Sequence, residues 1–540
     1  MMKSMLLALT CAIALGSAWG QGAPICPPRP VPGSLVVNPL DLYSENGALN
    51  VNITLQNQFG SDQFEHYCYV YTDAMGNVYE APTFRLNPGD TLNFNLTDNI
   101  QPPYFPATKV QKPHTNMQFP APPVKPTNPD CNGGMLMGGS TNMHWHGLNI
   151  PPVCGQDDVI YTLIQSGDPP FPYSFQIPSN DSPGMYWYHP HAHGNTTTQV
   201  DGGAAGALFI EGTINGTQGL PERVFVIRQQ FKSGNPWVPG PNQLTINFQP
   251  ALFPDAPSPF INMQYGQQEF WRVANATTQA FLTLQVIYGT TPQPLQVVAL
   301  DGVPLNPPIT ENQILVPAAG RAEFIVPGLP SDEEGVFLTN GYDSGPVGNP
   351  NAPQQLMKMF GTNDPKKANV HPPRPANPVK PPADRQRFAG LATLQPSTTR
   401  NLYFSEQTVG SNGPTNYFIT VAGQKPKVFS MDAPPAITTT VGAVEDWTIE
   451  NHAGEAHDFH IHQLHFLLMA VNGVPVPNPE LYDSFAIPSW SGSGPYPSIT
   501  VRMDFRDPQI AGTFVYHCHL LEHEDAGMMQ KIQVNPSNNH

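Results

Sequence analysis

The sequence predicts an all-β protein built from three consecutive β-sandwich domains. The 540-residue chain is longer than one usual domain, and it contains 64 Pro and 46 Gly whereas only 12% of its residues are charged. This composition suits a turn-rich β protein better than a helical one. A weak internal repeat of nearly constant spacing then indicates three domains.

Each copy of the repeat has a turn Gly, an aromatic residue five positions later and an Asn or Asp four positions after that. The copies are 89–98, 266–275 and 442–451, and their first residues lie 177 and 176 positions apart. The motif Asp-Gly-Val-Pro at 301–304 returns as Asn-Gly-Val-Pro at 472–475, and both predict hairpin turns. Three copies of one sandwich explain the equal spacing.

We expect the domains over 34–214, 220–366 and 391–537. A linker over 367–390 contains the stretch HPPRPANPVKPP from His371 to Pro382, which cannot pair inside a sheet. The segment 101–139 is rich in Pro, Asn and Gly and predicts a long surface insertion in the first domain.

The first twenty residues predict a cleavable export signal. Lys3 provides the positive charge, 5–15 form an apolar stretch, and Ala18-Trp19-Gly20 is a small-x-small cleavage site. We therefore expect a periplasmic or extracellular protein. No other stretch has the roughly 18 consecutive apolar residues of a membrane span. A formal charge of -17 argues against binding nucleic acid or an anionic membrane surface.

Cysteine usage agrees with an oxidising compartment. Cys11 is removed with the signal, and Cys518 lies in a histidine cluster. The other four cysteines predict two disulfides, which could form in any of three pairings. Those four are Cys26, Cys68, Cys131 and Cys154.

Most of the seventeen histidines fall in four short clusters, and none lies between His193 and His371. A lone His is more often structural than a ligand, but four H-x-H repeats are not lone. The clusters are His144-Trp-His146, His189-Pro-His191-Ala-His193, His457-Asp-Phe-His460-Ile-His462, and His517-Cys518-His519 followed by His523 and Met528.

Strand geometry separates the ligands into two sites, because side chains two positions apart share a face and adjacent ones do not. His517 and His519 therefore face away from Cys518, and His457 faces away from His460. One thiolate, two imidazoles (His457 and His523) and the thioether of Met528 match a blue-copper electron-transfer centre. Zinc would favour spaced Cys-x-x-Cys pairs, which are absent from the sequence.

In these motifs the chain resembles the multicopper oxidases, the family of laccases, ascorbate oxidase, bilirubin oxidase and the bacterial cuprous oxidases. The resemblance covers essentially the whole mature chain and implies three cupredoxin-like Greek-key domains. It also implies four copper ions, namely one type 1, one type 2 and two type 3, with O2 as the electron acceptor.

The resemblance further implies a role for each residue. The type 1 ligands are Cys518, His457 and His523, with Met528 in the axial place. His144 and His460 are the type 2 ligands. The type 3 pair is held by His146, His189 and His519 on one copper and by His191, His462 and His517 on the other. Electrons enter through the edge of His523, and the histidine-free middle domain is a spacer and part of the substrate side.

Water formation requires protons, and acidic residues in the motifs are candidates for supplying them. Glu524 and either Asp157 or Asp158 match acidic residues near the cluster in related enzymes, although they are also plausible turn or surface carboxylates. His193 and His465 have no ligand counterpart, so we expect outer or structural roles for both.

Two other copper proteins fit less well. A copper nitrite reductase lacks the type 3 pair, and a copper store does not require a cysteine flanked by histidines. Within the oxidases, the small reducing substrate is a phenol or aromatic amine, as in laccases, or alternatively Cu(I). Small Met groups at 135, 137 and 143 and at 357 and 359 are candidate Cu(I) ligands, although scattered Met is more often packing.

Overall fold

The computed structural model describes residues 26–59, 65–102, 118–119, 131, 133–231, 242–349, 351–368, 370, 387–409 and 414–537. The predicted signal segment, most of the 101–139 insertion and the stretch from His371 to Pro382 lie outside these residues. Within them the chain forms three successive pairs of β-sheets, which confirms the predicted fold class.

The first sandwich contains ten strands in two sheets, together with a separate two-stranded sheet and one short helix. Sheet orders are β1-β5-β12-β11-β9 and β10-β6-β2-β3-β4, and β7 pairs with β8. The elements are β1 Asp41–Tyr43, β2 Ala48–Phe59, β3 Glu65–Thr72, β4 Val78–Glu80, β5 Thr83–Leu86, β6 Thr91–Asp98, β7 Gln118–Phe119, β8 Gly134–Met135, β9 His144–His146, β10 Phe171–Gln176, β11 Gly184–His189, α1 Thr196–Asp201 and β12 Gly206–Ile210.

The second pair has sheet orders β15-β14-β13-β17-β23-β20-β21 and β16-β25-β24-β18-β19, with β22 paired to β18. Its elements are β13 Glu222–Phe231, β14 Asn242–Ile246, β15 Gln249–Pro250, β16 Phe260–Gln264, β17 Glu269–Ala276, β18 Leu282–Tyr288, β19 Thr291–Pro292, β20 Leu295–Leu300, β21 Val303–Glu311, β22 Ile314–Val316, β23 Arg321–Val326, β24 Gly335–Thr339, β25 Gln354–Thr362 and α2 Pro365–Ala368.

The third pair has sheet orders β27-β26-β29-β35-β31-β32, with β33 paired to β31, and β28-β37-β36-β30-β34. Its elements are the 3-10 turn Leu391–Thr393, β26 Thr398–Thr408, β27 Thr415–Val421, β28 Ile437–Thr440, β29 Val444–Asn451, β30 His457–Ile461, β31 Phe466–Val471, β32 Val474–Pro475, β33 Leu481–Tyr482, β34 Ser484–Ile487, β35 Ser498–Asp504, the 3-10 turn Pro508–Ile510, β36 Gly512–Cys518, α3 Leu521–Asp525 and β37 Met529–Asn535.

The three repeat copies form equivalent strands, β6, β17 and β29. Each pairs in parallel with the first long strand of its own sandwich, namely β2, β13 or β26. The repeated aromatic residues Phe94, Trp271 and Trp447 are fully buried in the three cores. The repeat therefore marks the centre of each sandwich, whereas the domain bounds themselves stay a prediction.

Both predicted hairpin turns are present. Asp301 and Gly302 connect β20 to β21, and Asn472 and Gly473 connect β31 to β32. All four residues have positive φ, as a two-residue type I′ turn requires. The disulfides are Cys26–Cys68 and Cys131–Cys154, and Cys518 is a buried free thiol.

A buried ion network joins the first two sandwiches. Arg85 of β5 bonds to Glu222 at the start of β13, and Glu222 also contacts Arg272 of β17 at 3.1 Å. Arg272 in turn donates to Glu323 of β23 at 2.5 Å. Because breaking a buried pair leaves an uncompensated charge, this network fixes how the two sandwiches pack.

Candidate metal centre

The histidine clusters lie on two pairs of neighbouring strands. In the first sandwich β9 pairs with β11, which places His144 opposite His189. In the third sandwich β30 pairs with β36, which places His460 opposite His517 and Phe459 opposite Cys518. All ten cluster histidines named as ligands, and Cys518, are buried.

The two strand pairs meet, so residues more than 300 positions apart come into contact. His191 Nε2 lies 3.3 Å from His517 Nε2, and the rings of His146 and His460 stack at 4.0 Å. Ligand atoms within 4.8 Å of one another form several groups that suit a metal ion, and four of these groups bear directly on the two predicted sites. These are His144/His146/His460, His146/His189/His519, His191/His462/His517 and His457/Cys518/His523.

Hydrogen bonds define which nitrogen of each ring carries a proton. The Nδ1 atoms of His189, His460 and His517 lie 2.7–3.0 Å from backbone carbonyl oxygens, of Pro190, Asp483 and Cys518 respectively. A carbonyl oxygen only accepts, so each Nδ1 donates and each Nε2 keeps a lone pair. These lone pairs point towards the centre of the histidine cluster.

At that centre, imidazole nitrogens lie close to one another. His462 Nε2 lies 3.2 Å from His517 Nε2, which cannot donate. Within the described residues, the Nε2 atoms of His144, His189 and His460 and the Nδ1 atom of His146 have no hydrogen-bond partner. Burying polar atoms without partners is costly, and a bound cation would remove that cost.

The electrostatics of the cluster agree with metal binding. Burial first, and then neighbouring imidazoles, hold the pKa values of His144, His462 and His519 well below the usual value. The rings are therefore neutral at pH 7, as a metal ligand requires. Imidazole suits copper, and two of the three-ring groups, His146/His189/His519 and His191/His462/His517, are the two type 3 sets that the resemblance implies.

A second set of donors lies on the opposite side of β30 and β36. Cys518 Sγ is 3.6 Å from His457 Nδ1 and 3.9 Å from His523 Nδ1, and these two nitrogens are 3.2 Å apart. Burial raises the pKa of the Cys518 thiol, so a cation would be needed to hold it as a thiolate. One sulfur and two imidazoles fit a blue-copper centre.

Met528 lies beside this set in the chain fold. It is fully buried in the same core cluster as Cys518. Its carbonyl accepts from the Cys518 amide at 3.0 Å, and its own amide donates to the His523 carbonyl at 2.8 Å. These bonds tie the predicted axial residue to both neighbouring ligands.

The three candidate acids lie in different surroundings. Asp157 bonds to His144 Nδ1 at 3.0 Å and to Gln463, whereas Asp158 accepts from the amides of Ile160 and Tyr161 in its own turn. The structure thus brings Asp157 rather than Asp158 into hydrogen-bond contact with a ligand ring among the described residues.

Glu524 lies on the other side of the histidine cluster. Its Oε1 is 3.2 Å from His193 Nδ1, and burial raises the pKa of Glu524 to about 7. His465 donates through Nε2 to the Asp301 carbonyl at 2.8 Å. His193 and His465 therefore contact outer groups, as expected from the sequence.

Several residues at the two sites carry no sequence signal. Glu406 and Glu455 accept from the outer Nε2 atoms of His457 and His523 at 3.1 and 3.2 Å. The Tyr417 ring stacks on His523 at 4.1 Å. These residues belong to no motif, because their positions depend on how β26, β27 and the turn after β29 pack around the type 1 ligands.

Comparisons with known proteins agree with this geometry. Residues 403–538 and 134–214, which carry all the histidine clusters, each match a family model described as multicopper oxidase. The chain belongs to the multicopper oxidase family. It is an oxidoreductase that uses copper, and O2 is the acceptor typical of this family.

The relatives of this multicopper oxidase are distant, and the matches cover about two thirds or more of each chain. "Multicopper oxidase LPR1 homolog 1" of Oryza sativa subsp. japonica is 23% identical over 523 residues, covering 86% of this chain and 84% of the relative. A "Laccase" of Bacillus stratosphericus is 22% identical over 395 residues, covering 67% and 73%. The structure titled "Multicopper oxidase from Campylobacter jejuni: a metallo-oxidase" has TM-score 0.65 at 21% identity, covering 94% of this chain and 96% of that one. Among the described residues, no helix of this multicopper oxidase is long and apolar enough to span a membrane.

Proposed function

We propose that the protein couples one-electron oxidation of a small reducing substrate to the four-electron reduction of O2 to water. The observation that carries the proposal is the pair of buried donor sets on opposite sides of β30 and β36. Copper ions held there would supply single-electron transfer at the Cys518 set and dioxygen reduction at the histidine cluster. The ligand assignment follows the resemblance, including Met528 as the axial ligand and four copper ions in all.

The backbone connects the two sets. Cys518 faces one set, whereas its neighbours His517 and His519 face the other, so a short covalent path joins them. The Nδ1 atom of His517 also donates to the carbonyl of Cys518 at 3.0 Å. We propose that electrons reach the histidine cluster along this path.

Buried acids supply protons in this proposal. Asp157 contacts His144, and Glu524 lies beside His193 and near His191. Both carboxyls are buried, and burial raises the pKa of each. A carboxyl that keeps its proton near neutral pH is suited to general-acid work.

Electron entry differs in one respect from the sequence expectation. The His523 ring is covered by Tyr417 on one face, and its outer nitrogen bonds to Glu455. Only 6% of His523 is exposed. Glu455 is itself only 7% exposed, so a substrate would touch the half-buried Tyr417 before it touches the imidazole edge.

Phenols and aromatic amines are the substrates that we propose first. An aromatic donor can pack against Tyr417 and form a hydrogen bond with the Glu455 carboxyl, whose pKa is raised to about 9 by burial and by the nearby Glu406. Cu(I) is the second candidate, because a cation that displaced the Glu455 proton could bind the carboxyl oxygens of Glu406 and Glu455. Met357 and Met359 cannot bind Cu(I) as the sequence suggested, because both lie fully buried in the core of the second sandwich.

The remaining Met candidates are also dispersed. Met143 is buried and accepts a hydrogen bond from the Tyr69 hydroxyl through its sulfur at 3.7 Å, whereas Met135 and Met137 are about half exposed.

We also propose that the protein is exported to the periplasm or outside the cell. The two disulfides support an oxidising compartment.

The first experiment is an absorption spectrum of the copper-loaded protein and of Cys518→Ser. We expect an intense blue thiolate-to-copper band in the wild type and its loss in the variant, with the copper of the histidine cluster retained. A fully loaded wild type without the band would refute the type 1 assignment.

The second experiment measures O2 uptake with a phenol and, separately, with Cu(I). The matched variant is Glu455→Gln, which keeps the size of the side chain but cannot lose a proton to bind a cation. If phenols are the substrate, uptake with a phenol exceeds uptake with Cu(I). If uptake occurs only with Cu(I), and Glu455→Gln raises the KM for that ion, metal-ion oxidation replaces the first candidate.

A further inference from the structure

An ion pair between the second and third sandwiches lies directly against the histidine cluster. Arg321 begins β23, and Asp483 precedes β34. We infer that Arg321 and Asp483 are positioning residues for the trinuclear copper ligands, so that the histidine-free middle sandwich helps to assemble the site. This inference rests on the proposed function.

Asp483 contacts one ligand from each of the two histidine-bearing sandwiches. Its Oδ1 lies 3.2 Å from His146 Nε2, and its backbone carbonyl accepts from His460 Nδ1 at 2.7 Å. With these outer nitrogens engaged, His146 presents Nδ1 and His460 presents Nε2 to the centre. The same residue thus sets the orientation of two rings that bind through different nitrogens.

Arg321 holds the Asp483 carboxylate in place. Its Nη1 lies 2.7 Å from Oδ1 and its Nη2 lies 2.5 Å from Oδ2, which is a two-bond fork. Both side chains are fully buried. Because an ionised carboxylate only accepts, this arrangement keeps an acceptor in front of His146 Nε2.

The hairpin turn at Asp301 forms hydrogen bonds with both Arg321 and Asp483. The Asp301 carbonyl accepts from Arg321 Nη2 at 3.0 Å, and its carboxylate accepts from the Asp483 amide at 3.2 Å. His465 Nε2 lies 3.5 Å from Asp483 Oδ2. Outer partners of this kind orient metal-binding imidazoles, and their loss typically weakens metal binding by about 10–100-fold.

The residue after His146 is shaped to admit the ion pair. Gly147 has φ +87°, and a Cβ atom built there would lie 2.7 Å from both Arg321 Nη2 and Asp483 Oδ2. The first sandwich therefore leaves open the space that the other two fill. The Arg321–Asp483 pair therefore packs directly against the residue that follows the ligand strand β9, and its role is more specific than joining two sandwiches.

The test compares Arg321→Met and Asp483→Asn with Arg272→Met. Arg272 is the matched control, because it is a buried arginine of the same sandwich whose ionic partners are Glu222 and Glu323. Copper per chain is measured after dialysis against a graded chelator. The type 1 copper is followed by its blue band, and the type 2 and type 3 ions by their paramagnetic signal and near-ultraviolet absorption.

We expect Arg321→Met and Asp483→Asn to release copper from the histidine cluster at about 10–100-fold lower chelator concentration, with the blue band retained. Arg321→Lys, which keeps the charge, should restore part of the affinity. Arg272→Met should retain the wild-type copper affinity even if it unfolds more readily.

Three results would overturn the inference. One is wild-type copper affinity in a folded Asp483→Asn protein. Another is equal loss from both copper sites. The third is the same loss in Arg272→Met, since a role confined to joining sandwiches would produce it. If the wild type itself binds no copper, the proposed function fails instead.

Discussion

Gly147→Ala is the substitution whose cost can be worked out most directly from the structure. The residue has φ +87°, which costs an L-residue about 1–2 kcal/mol. The added methyl group would also lie 2.7 Å from Arg321 Nη2 and 3.0 Å from a ring carbon of Tyr186. Overpacking a buried site of this kind costs about 1–3 kcal/mol. We therefore expect a total loss of about 2–5 kcal/mol.

A matched control separates the two contributions. Gly89 has nearly the same backbone angle, φ +88°, but no heavy atom lies within 4 Å of a Cβ atom built there. Gly89→Ala should therefore cost only the backbone contribution of about 1–2 kcal/mol.

The assay is chemical denaturation of both copper-free variants and the wild type, followed by copper titration. We expect Gly147→Ala to be the less stable variant and the only one with reduced copper binding at the histidine cluster. Equal stability of the two variants would refute the reasoning, because it would mean that the space around Gly147 is not needed by the ion pair.

Three further predictions concern the rest of the molecule. Tyr417→Ala removes the ring stacked on His523 and opens the site to water, which stabilises the more highly charged oxidised copper, so the type 1 potential should fall. The ring contact of about 0.5–1.5 kcal/mol limits the shift to about 20–60 mV. Redox titration of the blue band measures it, with Tyr417→Phe as the control that keeps the ring. Replacing Cys26 and Cys68 by Ser opens a loop with sequence separation 42 and should reduce stability by about 4 kcal/mol, and no change in the denaturation midpoint would contradict this. Burial raises the pKa of Asp98 from 3.8 to about 8, so its contribution is fully present below about pH 4 and is lost as the pH rises from there to about 8. Asp98→Asn should flatten the fall in stability over that range, and an unaltered pH profile would exclude Asp98 as its source.

Part of the site could be read from local spacing alone. Side-chain direction alternates along a strand, so the sequence separates His457 from His460 and Cys518 from its two neighbours without any knowledge of the fold. The repeat likewise located the central strand of each sandwich. The roles of individual ligands remain a prediction that the resemblance supplies.

Other expectations required the packed molecule. Met357 and Met359 formed a candidate Cu(I) group on the sequence, but both side chains point into the core of the second sandwich. The middle domain was expected to be a spacer and part of the substrate side. Arg321, which comes from that domain, instead reaches Asp483 beside the histidine cluster.

The sequence by itself determined the all-β class, the threefold repeat, the ligand types and the separation of two metal-binding faces, because each depends on residues a few positions apart. Only the tertiary structure decided the disulfide pairing, the contact of Asp157 rather than Asp158 with a ligand ring, and the fork of Arg321 on Asp483. The disulfides and the Asp157 contact depend on packing within the first sandwich, and the fork depends on packing between the second and third sandwiches. Residues 162 positions apart, as in that fork, have no periodicity that relates them.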